Sequence, residues 1–486
     1  MKWREHLPFL VLLGTGALLR VLVQLSFTPG FVFSDGPVYL LLVDHVAPLK
    51  DRVAGYGLFL HGLSWVSREI WVVTAVQHVL GLATATLAYV LLRRWGVGRW
   101  LGALATVPVL FDGMQLVLEH SVLSDVLFDL LVLAGVGALA WHRNPRLPTT
   151  LLGGLLLGAA VCVRIVGQPL VVAAVLFCLF AVATWRGRVV HAVVVATAFA
   201  VPVLAYTAWF HEEHGAWAMS ESGGRALYMR TTAWVDCSRF TMPDYERPLC
   251  PPEPVGQRLE PTEYGWHSPD ASHGLNPPEG STANDVMRDF AVRAIRAQPW
   301  DYTRTVLRDV ALNFAVPRAD YFEYHTAYKW YFDRYVHYRA TDYTRPGFVD
   351  HGGDLPRSHQ PGATVLSYYG YVAYLWGPAL LALFLLAIGS LFVRGPPGVG
   401  RRSVIGLLLM VGGGLMVAPD VTAEFVWRYQ MPAILLVPMA AAVGWSRIRA
   451  ARSADQGTAA TPSTDWPNGG RTLRSTNRVV GTSQRS

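Results

Sequence analysis

Seven charged side chains lie in or beside apolar segments of the chain, and their types suit proton transfer and phosphate binding. They are Asp35, Glu119, Asp125, Arg164, Asp420, Glu424 and Arg428. A carboxylate can act as a general base, and a guanidinium group can stabilise an anionic leaving group. Because charge at membrane depth is costly, each of these residues is a candidate for function. An interfacial charge or an internal ion pair is the alternative explanation for each of them.

Asp35 lies in the turn Phe33-Ser34-Asp35-Gly36-Pro37, which directly follows the first apolar segment and its short polar exit. The topology derived below places this turn outside a membrane, at the boundary between lipid and water. A lipid-linked substrate and a soluble substrate could meet there. Arg20, which lies within the first apolar segment, is better explained as a snorkelling or structurally paired residue.

Histidine and aromatic side chains supply further candidates for substrate binding. His61 could bind phosphate or donate a proton, although an interfacial imidazole is the favoured explanation for this residue. The stretch from Tyr321 to Tyr343, which contains Trp330, is unusually aromatic. Aromatic rings stack on the C–H faces of sugars, but they also form interfacial belts and protein cores. We therefore take Trp330 as a candidate substrate-binding residue.

The composition indicates a membrane protein that crosses the bilayer several times. The 486 residues are 52% hydrophobic and 15% charged, whereas soluble chains carry about 25% charged residues. The net charge of +7 comes largely from arginines that form short clusters between apolar segments, which is how cytoplasmic loops retain topology. This clustering argues against nucleic-acid binding.

About ten transmembrane helices are expected from the apolar runs. The runs cover residues 7–27, 70–92, 101–118, 122–141, 150–163, 169–185, 189–210, 363–393, 403–418 and 426–445. Turns with arginine alternate with turns that lack it, so the positive-inside rule predicts that both termini are cytoplasmic. The first run lacks an Ala-x-Ala cleavage site and is taken as an uncleaved helix. The loops 28–69, 119–121, 164–168, 211–362 and 419–425 then face outside.

The predicted fold class is an all-α polytopic membrane protein with a mixed, loop-rich extracytoplasmic domain. Residues 1–210 form the N-terminal transmembrane region, which includes the first outer loop 28–69. Residues 211–362 form the extracytoplasmic domain, 363–450 the C-terminal transmembrane helices and 451–486 a disordered cytoplasmic tail. Within the outer domain, 284–300 has the apolar spacing of an amphipathic helix, and a second helix is predicted over 301–314.

Two of the four cysteines, Cys237 and Cys250, lie in the predicted outer domain. An oxidising environment there predicts a disulfide, and two free thiols are the alternative. The chain has no Cys-x-x-Cys motif and no zinc spacing.

Three segments together resemble the GT-C glycosyltransferases, in particular the bacterial protein mannosyltransferase and aminoarabinose transferase type that uses polyprenyl-phosphate sugars. They are a long first outer loop opening with an acid, Glu119-His120-Ser121-Val122-Leu123-Ser124-Asp125, and Arg428-Tyr429-Gln430-Met431-Pro432. The stretch 294–309 is also similar to a segment common in bacterial members. Here Asp35 is followed by Gly36, where the family often has a second acid, and this departure weakens the case for a bound metal.

The resemblance implies a cell-envelope enzyme of the cytoplasmic membrane that transfers a sugar from a polyprenyl phosphate to a glycan, lipid or protein acceptor outside. Asp35 would act as general base in an inverting transfer, with Glu119 or Asp125 as the second carboxylate. Arg164, Arg428 and Tyr429 would bind the donor phosphate, and His61, His120 and Trp330 would bind substrate. No cofactor is required on this interpretation, and a divalent metal is possible but not favoured.

Two other classes of protein fit the same sequence features. A transporter or lipid flippase of cell-envelope assembly would also be polytopic with sparse buried charges, but transporters usually show internal repeats and small outer domains. The second alternative is a membrane-anchored assembly component whose outer domain binds a partner or a polymer. The sugar, the acceptor and the carrier length are not encoded in any motif found here.

Overall fold

A computed structural model describes residues 3–267, 274–320, 327–335, 341–352, 355–394 and 400–459 of the chain. Four members of the predicted aromatic stretch, Tyr321, Phe322, Tyr324 and Tyr338, lie outside the described residues. The predicted tail beyond residue 459 lies outside them as well. Helices account for most of the described chain, as the apolar runs predict.

The N-terminal region up to the outer domain consists of eleven helices among the described residues, several of them short. They are α1 (Leu7–Ser26), α2 (Gly36–Leu41), α3 (Gly55–Ser64), α4 (Ile70–Arg94), α5 (Arg99–Leu104), α6 (Val107–Phe111), α7 (Gly113–Glu119), α8 (Asp125–Ala140), α9 (Leu147–Val163), α10 (Leu170–Ala181) and α11 (Trp185–His214). The short strand β1 (Phe27–Thr28) follows α1 directly.

The remaining α-helices belong to residues 211–362, which we call the outer domain after its predicted location, and to the C-terminal part of the bundle. They are α12 (Gly223–Thr232), α13 (Ala283–Ala297), α14 (Pro299–Leu312), α15 (Arg345–Asp350), α16 (Gly362–Val372), α17 (Gly377–Phe392), α18 (Arg402–Thr422) and α19 (Met431–Ala459). The strand β2 (Arg357–Ser358) pairs antiparallel with β1. This pairing joins the end of the outer domain to the end of α1. The last helix continues to Ala459, beyond the predicted boundary at residue 450.

Five helical stretches of the described chain are long and apolar enough to cross a membrane: Leu7–Ser26, Ile70–Arg94, Trp185–His214, Arg402–Thr422 and Trp427–Ala454. Two bent pairs, Arg99–Phe111 with Gly113–Glu119 and Gly362–Val372 with Gly377–Phe392, raise the number to seven if each pair is one span. The stretches Leu147–Val163 and Ile165–Ala181 are apolar but shorter. The chain is thus a polytopic helical protein, and ten crossings remain a prediction.

The two bends contact each other, and Asp112 is the residue that joins them. Asp112 precedes α7 and accepts a hydrogen bond from the backbone N–H of Met114 at 2.9 Å. It also accepts one at 3.0 Å from the backbone N–H of Leu375, which lies in the break between α16 and α17. Arg318 binds both of its carboxylate oxygens at 3.0 Å. A buried acid therefore satisfies the backbone groups that the breaks leave without helical partners.

Close helix packing in the N-terminal bundle depends on small residues. A Cβ atom added to Gly158 of α9 would lie 2.3 Å from the carbonyl oxygen of Phe199 in α11. A Cβ atom added to Gly154, one turn earlier, would lie 2.7 Å from the carbonyl oxygen of Val195. Small residues four apart allow the two backbones to touch, which is the usual packing device between membrane helices.

The outer domain has a core of its own around α12 and α13. The side chains of Val286, Met287, Phe290, Ala291 and Ala294 are buried on one face of α13, as the apolar spacing predicts. Thr282 and Asp285 form a capping box at its start, in which each side chain accepts a hydrogen bond from the other residue's backbone.

The disulfide between Cys237 and Cys250 lies at the edge of this outer-domain core. It ties the two ends of an irregular loop together, in agreement with the pairing expected for an oxidising compartment.

The turns predicted to be cytoplasmic lie against one another at one end of the bundle. Arg401 donates hydrogen bonds to the carbonyl oxygens of Ala140 at 2.5 Å and His142 at 2.7 Å. Arg447 donates to the carbonyl oxygen of Gly400 at 3.0 Å. The arginines of this end therefore also terminate helices, because they bind carbonyl groups that have no helical partner.

Candidate active site

A large open cavity lies between the first outer loop, the outer domain and the segment that links α18 to α19. Its volume is about 1360 Å³, and its lining includes Asp35, Arg52, Arg164, Trp330, Glu424, Arg428 and Tyr429. The four candidates Asp35, Arg164, Arg428 and Tyr429 thus come together from positions up to about 390 residues apart in sequence. Convergence of charged groups on a large cavity is the usual mark of an active site.

The loop that carries Asp35 is fixed by backbone bonds to the turn before α8. The N–H of Phe31 donates to the carbonyl oxygen of His120, and the N–H of Val122 donates to the carbonyl oxygen of Phe31, both at 2.9 Å. Gly36 lies so close to this turn that a Cβ atom would approach the Val122 carbonyl oxygen to 2.9 Å. The glycine that follows Asp35 is therefore required by close packing.

Asp35 is held between two guanidinium groups. Its Oδ1 accepts a hydrogen bond from Arg52 Nε at 2.7 Å, and its Oδ2 accepts one from Arg428 Nη2 at 2.9 Å. Burial raises the pKa of this carboxyl, but the charges and hydrogen bonds of Arg52 and Arg428 outweigh burial and hold the pKa well below its usual range. Asp35 is consequently ionised throughout the neutral range.

Arg428 has donors left over after it binds Asp35. Its Nε and Nη1 atoms are buried, and neither has a hydrogen-bond partner among the described residues. The guanidinium carbon lies 5.3 Å from the ring centroid of Trp330 and 5.4 Å from that of Tyr429. Unsatisfied buried donors on a cation are expensive unless an acceptor, and above all an anion, binds them.

Arg164 and Asp125 form a second ion pair beside Tyr429. Asp125, the first residue of α8, binds Arg164, which follows the end of α9. The Arg164 guanidinium lies 5.6 Å from the ring centroid of Tyr429. The Tyr429 ring therefore contacts both arginines, and a small cavity lined by Asp125, Arg164 and Arg428 lies beside it.

Glu119, one of the two candidates for the second carboxylate, does not line this cavity. Its carboxylate is fully buried and accepts hydrogen bonds from Arg20 at 2.6 Å, His78 at 2.8 Å and Gln115 at 3.0 Å. The reason is local: α7 ends at Glu119, whereas Asp125 begins α8, so the chain turns between them. Arg20 is thus a structurally paired residue, as expected.

The two histidines of the predicted substrate site also lie elsewhere. His120 is fully buried, and its Nε2 lies 2.5 Å from the carbonyl oxygen of Phe27. His61 is bound through Nδ1 to the carbonyl oxygen of Val43 at 2.8 Å and packs against Trp65. Neither residue lines the large cavity. Trp330, the third of these candidates, does line it.

Three cavity residues were absent from the predicted site. Arg52 binds Asp35, and its guanidinium lies 4.6 Å from the ring centroid of Trp266. Glu424 lies in the loop before α19, where burial and the charge of Glu260 raise its pKa to about 7. Arg52 and Trp266 lie in polar loops without apolar periodicity, so no sequence signal distinguished them. Glu424 was one of the seven charged candidates in the sequence, but no role was predicted for it.

The donor set around Asp35 does not resemble a metal site. Both carboxylate oxygens already face guanidinium groups, and two nearby cations would repel a third. Across the described ranges, no three His, Cys, Asp or Glu side chains group in a way that could hold a metal ion.

No protein-family model and no curated protein matches the chain. Among solved structures, it is similar to the oligosaccharyltransferase of Archaeoglobus fulgidus in the apo form, with 14% identity and a TM-score of 0.44 over 95% of this chain and 53% of that chain. It is also similar to the AglB complex with an inhibitory peptide and a dolichol-phosphate, from the same organism. That similarity has 12% identity and a TM-score of 0.43, over 95% of this chain and 53% of that chain.

The S. cerevisiae protein O-mannosyltransferase Pmt1-Pmt2 complex bound to the sugar donor is similar at 14% identity and a TM-score of 0.35, over 48% of this chain and 37% of that chain. The chain therefore spans about half the length of the archaeal enzyme and less of the yeast protein. Each of these similarities lies at 14% identity or below, with a TM-score under 0.5.

Proposed function

We propose that the chain is a glycosyltransferase of the cytoplasmic membrane that moves a sugar from a polyprenyl-phosphate carrier to an acceptor outside the membrane. One observation carries the proposal: an ionised Asp35 lies between Arg52 and Arg428 in a large cavity, and Arg428 has two further buried donors with no partner in the described chain. A base and an anion-binding cation are thus side by side.

The reaction assigns a separate task to each of these groups. Asp35 accepts the proton of an acceptor hydroxyl as that oxygen bonds to the anomeric carbon. The bond between the anomeric carbon and the phosphate oxygen breaks, and the lipid phosphate leaves with the electron pair. Arg428 and Arg164 stabilise the charge that develops on the phosphate. Attack opposite the leaving group inverts the anomeric centre.

Phosphate binding also activates Asp35. The low pKa of this carboxyl makes it a weak base while both arginines bind it. An anion that draws the Arg428 guanidinium to itself weakens the ion pair to Asp35, so the pKa of Asp35 rises toward its ordinary value. Binding of the donor phosphate would therefore make Asp35 a stronger base. Tyr429, which contacts both Arg428 and Arg164, is the third proposed contact of the phosphate.

The Asp35→Asn variant tests the proposal. Purified protein in detergent is given a panel of polyprenyl-phosphate monosaccharides together with a panel of hydroxyl acceptors, namely simple glycosides and a Ser/Thr peptide, and the released lipid phosphate is measured. We expect turnover with the wild type and a loss of about 10²- to 10⁴-fold in Asp35→Asn, since that is the usual contribution of a general base. Asp44→Asn is the matched control, because Asp44 lies in the same loop and is about half exposed.

Equal turnover by Asp35→Asn and wild type would remove Asp35 from the mechanism. Absence of turnover with every donor, together with carrier movement across liposomes, would favour the transporter or flippase alternative, because a transporter has nothing to convert in detergent.

A further inference from the structure

Besides the pair of Asp35 and Arg428, the cavity contains a second polar group, formed by Glu260, Thr262, Lys329 and Glu424. Thr262 Oγ1 lies 3.5 Å from Glu424 Oε2, and Lys329 Nζ lies 3.2 Å from Glu260 Oε2. All four side chains line the cavity. They come from three separate segments, two in the outer domain and one in the loop before α19, so the fold builds this group by convergence.

Aromatic side chains adjoin this polar group. The side chain of Tyr328 lines the cavity and is about half exposed. Trp330 lines the cavity too, yet it is only 5% exposed, and its indole N–H has no hydrogen-bond partner among the residues described. A buried donor without a partner indicates a position where a ligand oxygen is expected.

We propose that this second group is the acceptor subsite of the proposed transferase and that it binds a carbohydrate. The Glu260 and Glu424 side chains accept hydrogen bonds from sugar hydroxyls, while Lys329 and the Trp330 indole donate to sugar oxygens. The Tyr328 ring covers an apolar C–H face of the sugar. The role of this group as an acceptor subsite rests on the proposed function, whereas its binding of a sugar does not.

The chemistry of the group favours a sugar over other acceptors. Donors and acceptors are paired within the group, Thr262 with Glu424 at 3.5 Å and Lys329 with Glu260 at 3.2 Å, and such a mixed set matches a ring that carries several hydroxyls. The Lys329 ammonium group is already paired with the Glu260 carboxylate, which disfavours an anionic lipid headgroup at this position. An extended peptide would need backbone partners along a strand edge, and the described residues that line the cavity belong to helices and irregular loops.

The size of the cavity leaves room for two ligands. Its volume of about 1360 Å³ exceeds the ~300–1,000 Å³ typical of a pocket for one small molecule. The donor phosphate and sugar would occupy the part beside Arg428, Tyr429 and Arg164. The acceptor would then approach from Glu424, which precedes Arg428 by four residues.

Saturation-transfer NMR on the full chain tests sugar binding without any lipid donor. The probes are methyl α-D-mannopyranoside, methyl β-D-galactopyranoside, methyl α-L-arabinofuranoside and a Ser/Thr hexapeptide, with the protein in lauryldimethylamine oxide to avoid sugar-based detergents. We expect saturation of the ring protons of at least one glycoside. Glu424→Gln and Lys329→Met should each weaken it about tenfold, as for a lost charged hydrogen bond. Asp289→Asn, an exposed acid of the same domain, should leave it unchanged.

The proposal is overturned if no glycoside is saturated, if the hexapeptide is saturated instead, or if both subsite variants bind glycosides as the wild type does. Thermal denaturation of each variant checks that it is folded. The Asp35→Asn variant separates the two proposals, because it should lose donor turnover and keep glycoside binding. Turnover without glycoside binding defeats only the subsite, whereas glycoside binding without turnover by the wild type defeats only the transferase.

Discussion

Two carboxyl groups of one cavity have pKa values shifted in opposite directions. Arg52 and Arg428 outweigh the effect of burial at Asp35 and keep it ionised. Burial and the charge of Glu260 raise the pKa of Glu424 to about 7, and Lys329, Arg230 and Arg428 oppose this only in part. A pair of acids with separated pKa values can hold a base and a proton-bearing group side by side at neutral pH. The cavity is therefore chemically asymmetric.

The Glu424 shift makes stability depend on pH. Its pKa in the folded state, about 7, exceeds the ordinary value of 4.5, so the folded protein holds a proton that the unfolded chain has already released between these two values. Stability contributed by this proton is present below pH 4.5 and is lost as pH rises to about 7. A shift of this size corresponds to about 3 kcal/mol, an upper value because the side chain is partly exposed.

Thermal denaturation of wild type and Glu424→Gln between pH 4.5 and 8 measures this contribution. We expect the melting temperature of the wild type to fall, relative to the variant, as pH rises to about 7, and the difference to be constant above that value. Subtraction of the two curves removes the other acids that titrate in the same range. Parallel curves would show that Glu424 titrates normally.

Glu119 is expected to contribute to folding and not to turnover. The Glu119→Gln substitution leaves the guanidinium of Arg20 buried without its counter-ion, which typically costs about 3–5 kcal/mol. We expect a lower melting temperature, but unchanged release of lipid phosphate per folded molecule. Gln115→Met, which removes a neutral donor to the same carboxylate, should cost only about 1 kcal/mol. A stable Glu119→Gln protein without turnover would return Glu119 to the catalytic site.

The charged residues that sequence reasoning placed in the cavity lie in or close to apolar runs. Asp35 follows the first run in a short turn, Arg164 follows the run 150–163, and Arg428 lies near the start of the run 426–445, so the sequence itself marks them as candidates. Arg52 and Trp266 lie in polar loops, where a charged or aromatic residue carries no such signal. Their role follows only from three-dimensional proximity to Asp35.

At the level of elements, the main difference from the predicted helices is the break at Asp112. The apolar run 101–118 predicts a continuous helix, but the chain bends by 57° between α6 and α7. Asp112, Arg318 and the backbone of Leu375 stabilise this bend together. Arg318 and Leu375 lie more than 200 residues from Asp112 in sequence. A local sequence pattern therefore cannot predict that they contact it. The amphipathic helix α13 was predictable because its apolar spacing is local.

A buried polar network connects the outer domain to the segment that carries Glu424 and Arg428. Arg230 of α12 binds Asp309 of α14 at 2.7 Å and donates to the carbonyl oxygen of Asp420 at 3.0 Å. Asn313 donates to the Asp420 carboxylate at 2.9 Å. Because the chain from Asp420 leads directly into the cavity, this network fixes the position of the segment without contacting a substrate.

Arg230→Met tests the role of this network. The expected result is a loss of turnover of up to about 10²-fold, since a displacement of about 1 Å can have this effect on a reacting group. The control is Arg239→Met, which breaks an exposed pair with Asp301 in the same domain and should have little effect. A folded Arg230→Met protein with wild-type turnover would show that the position of the segment does not depend on Arg230.

The whole molecule has two chemically different ends. At one end, Arg401 binds the carbonyl oxygens of Ala140 and His142, and Arg447 binds the carbonyl oxygen of Gly400. The other end carries the cavity, the disulfide between Cys237 and Cys250 and the outer domain. The positive-inside rule assigns the arginine-rich end to the cytoplasm, and a disulfide is favoured in an oxidising compartment. Both arguments orient the molecule in the same way.

Thiol labelling of intact cells tests this orientation. Ser281 in the outer domain and Asn144 in an arginine-containing turn are both exposed, so each is replaced by cysteine in a chain whose free thiols Cys162 and Cys178 are changed to alanine. A membrane-impermeant maleimide should label Ser281→Cys in intact cells and Asn144→Cys only after the membrane is opened. The reverse pattern would place the cavity on the cytoplasmic side, and an acceptor would then have to be a cytoplasmic molecule.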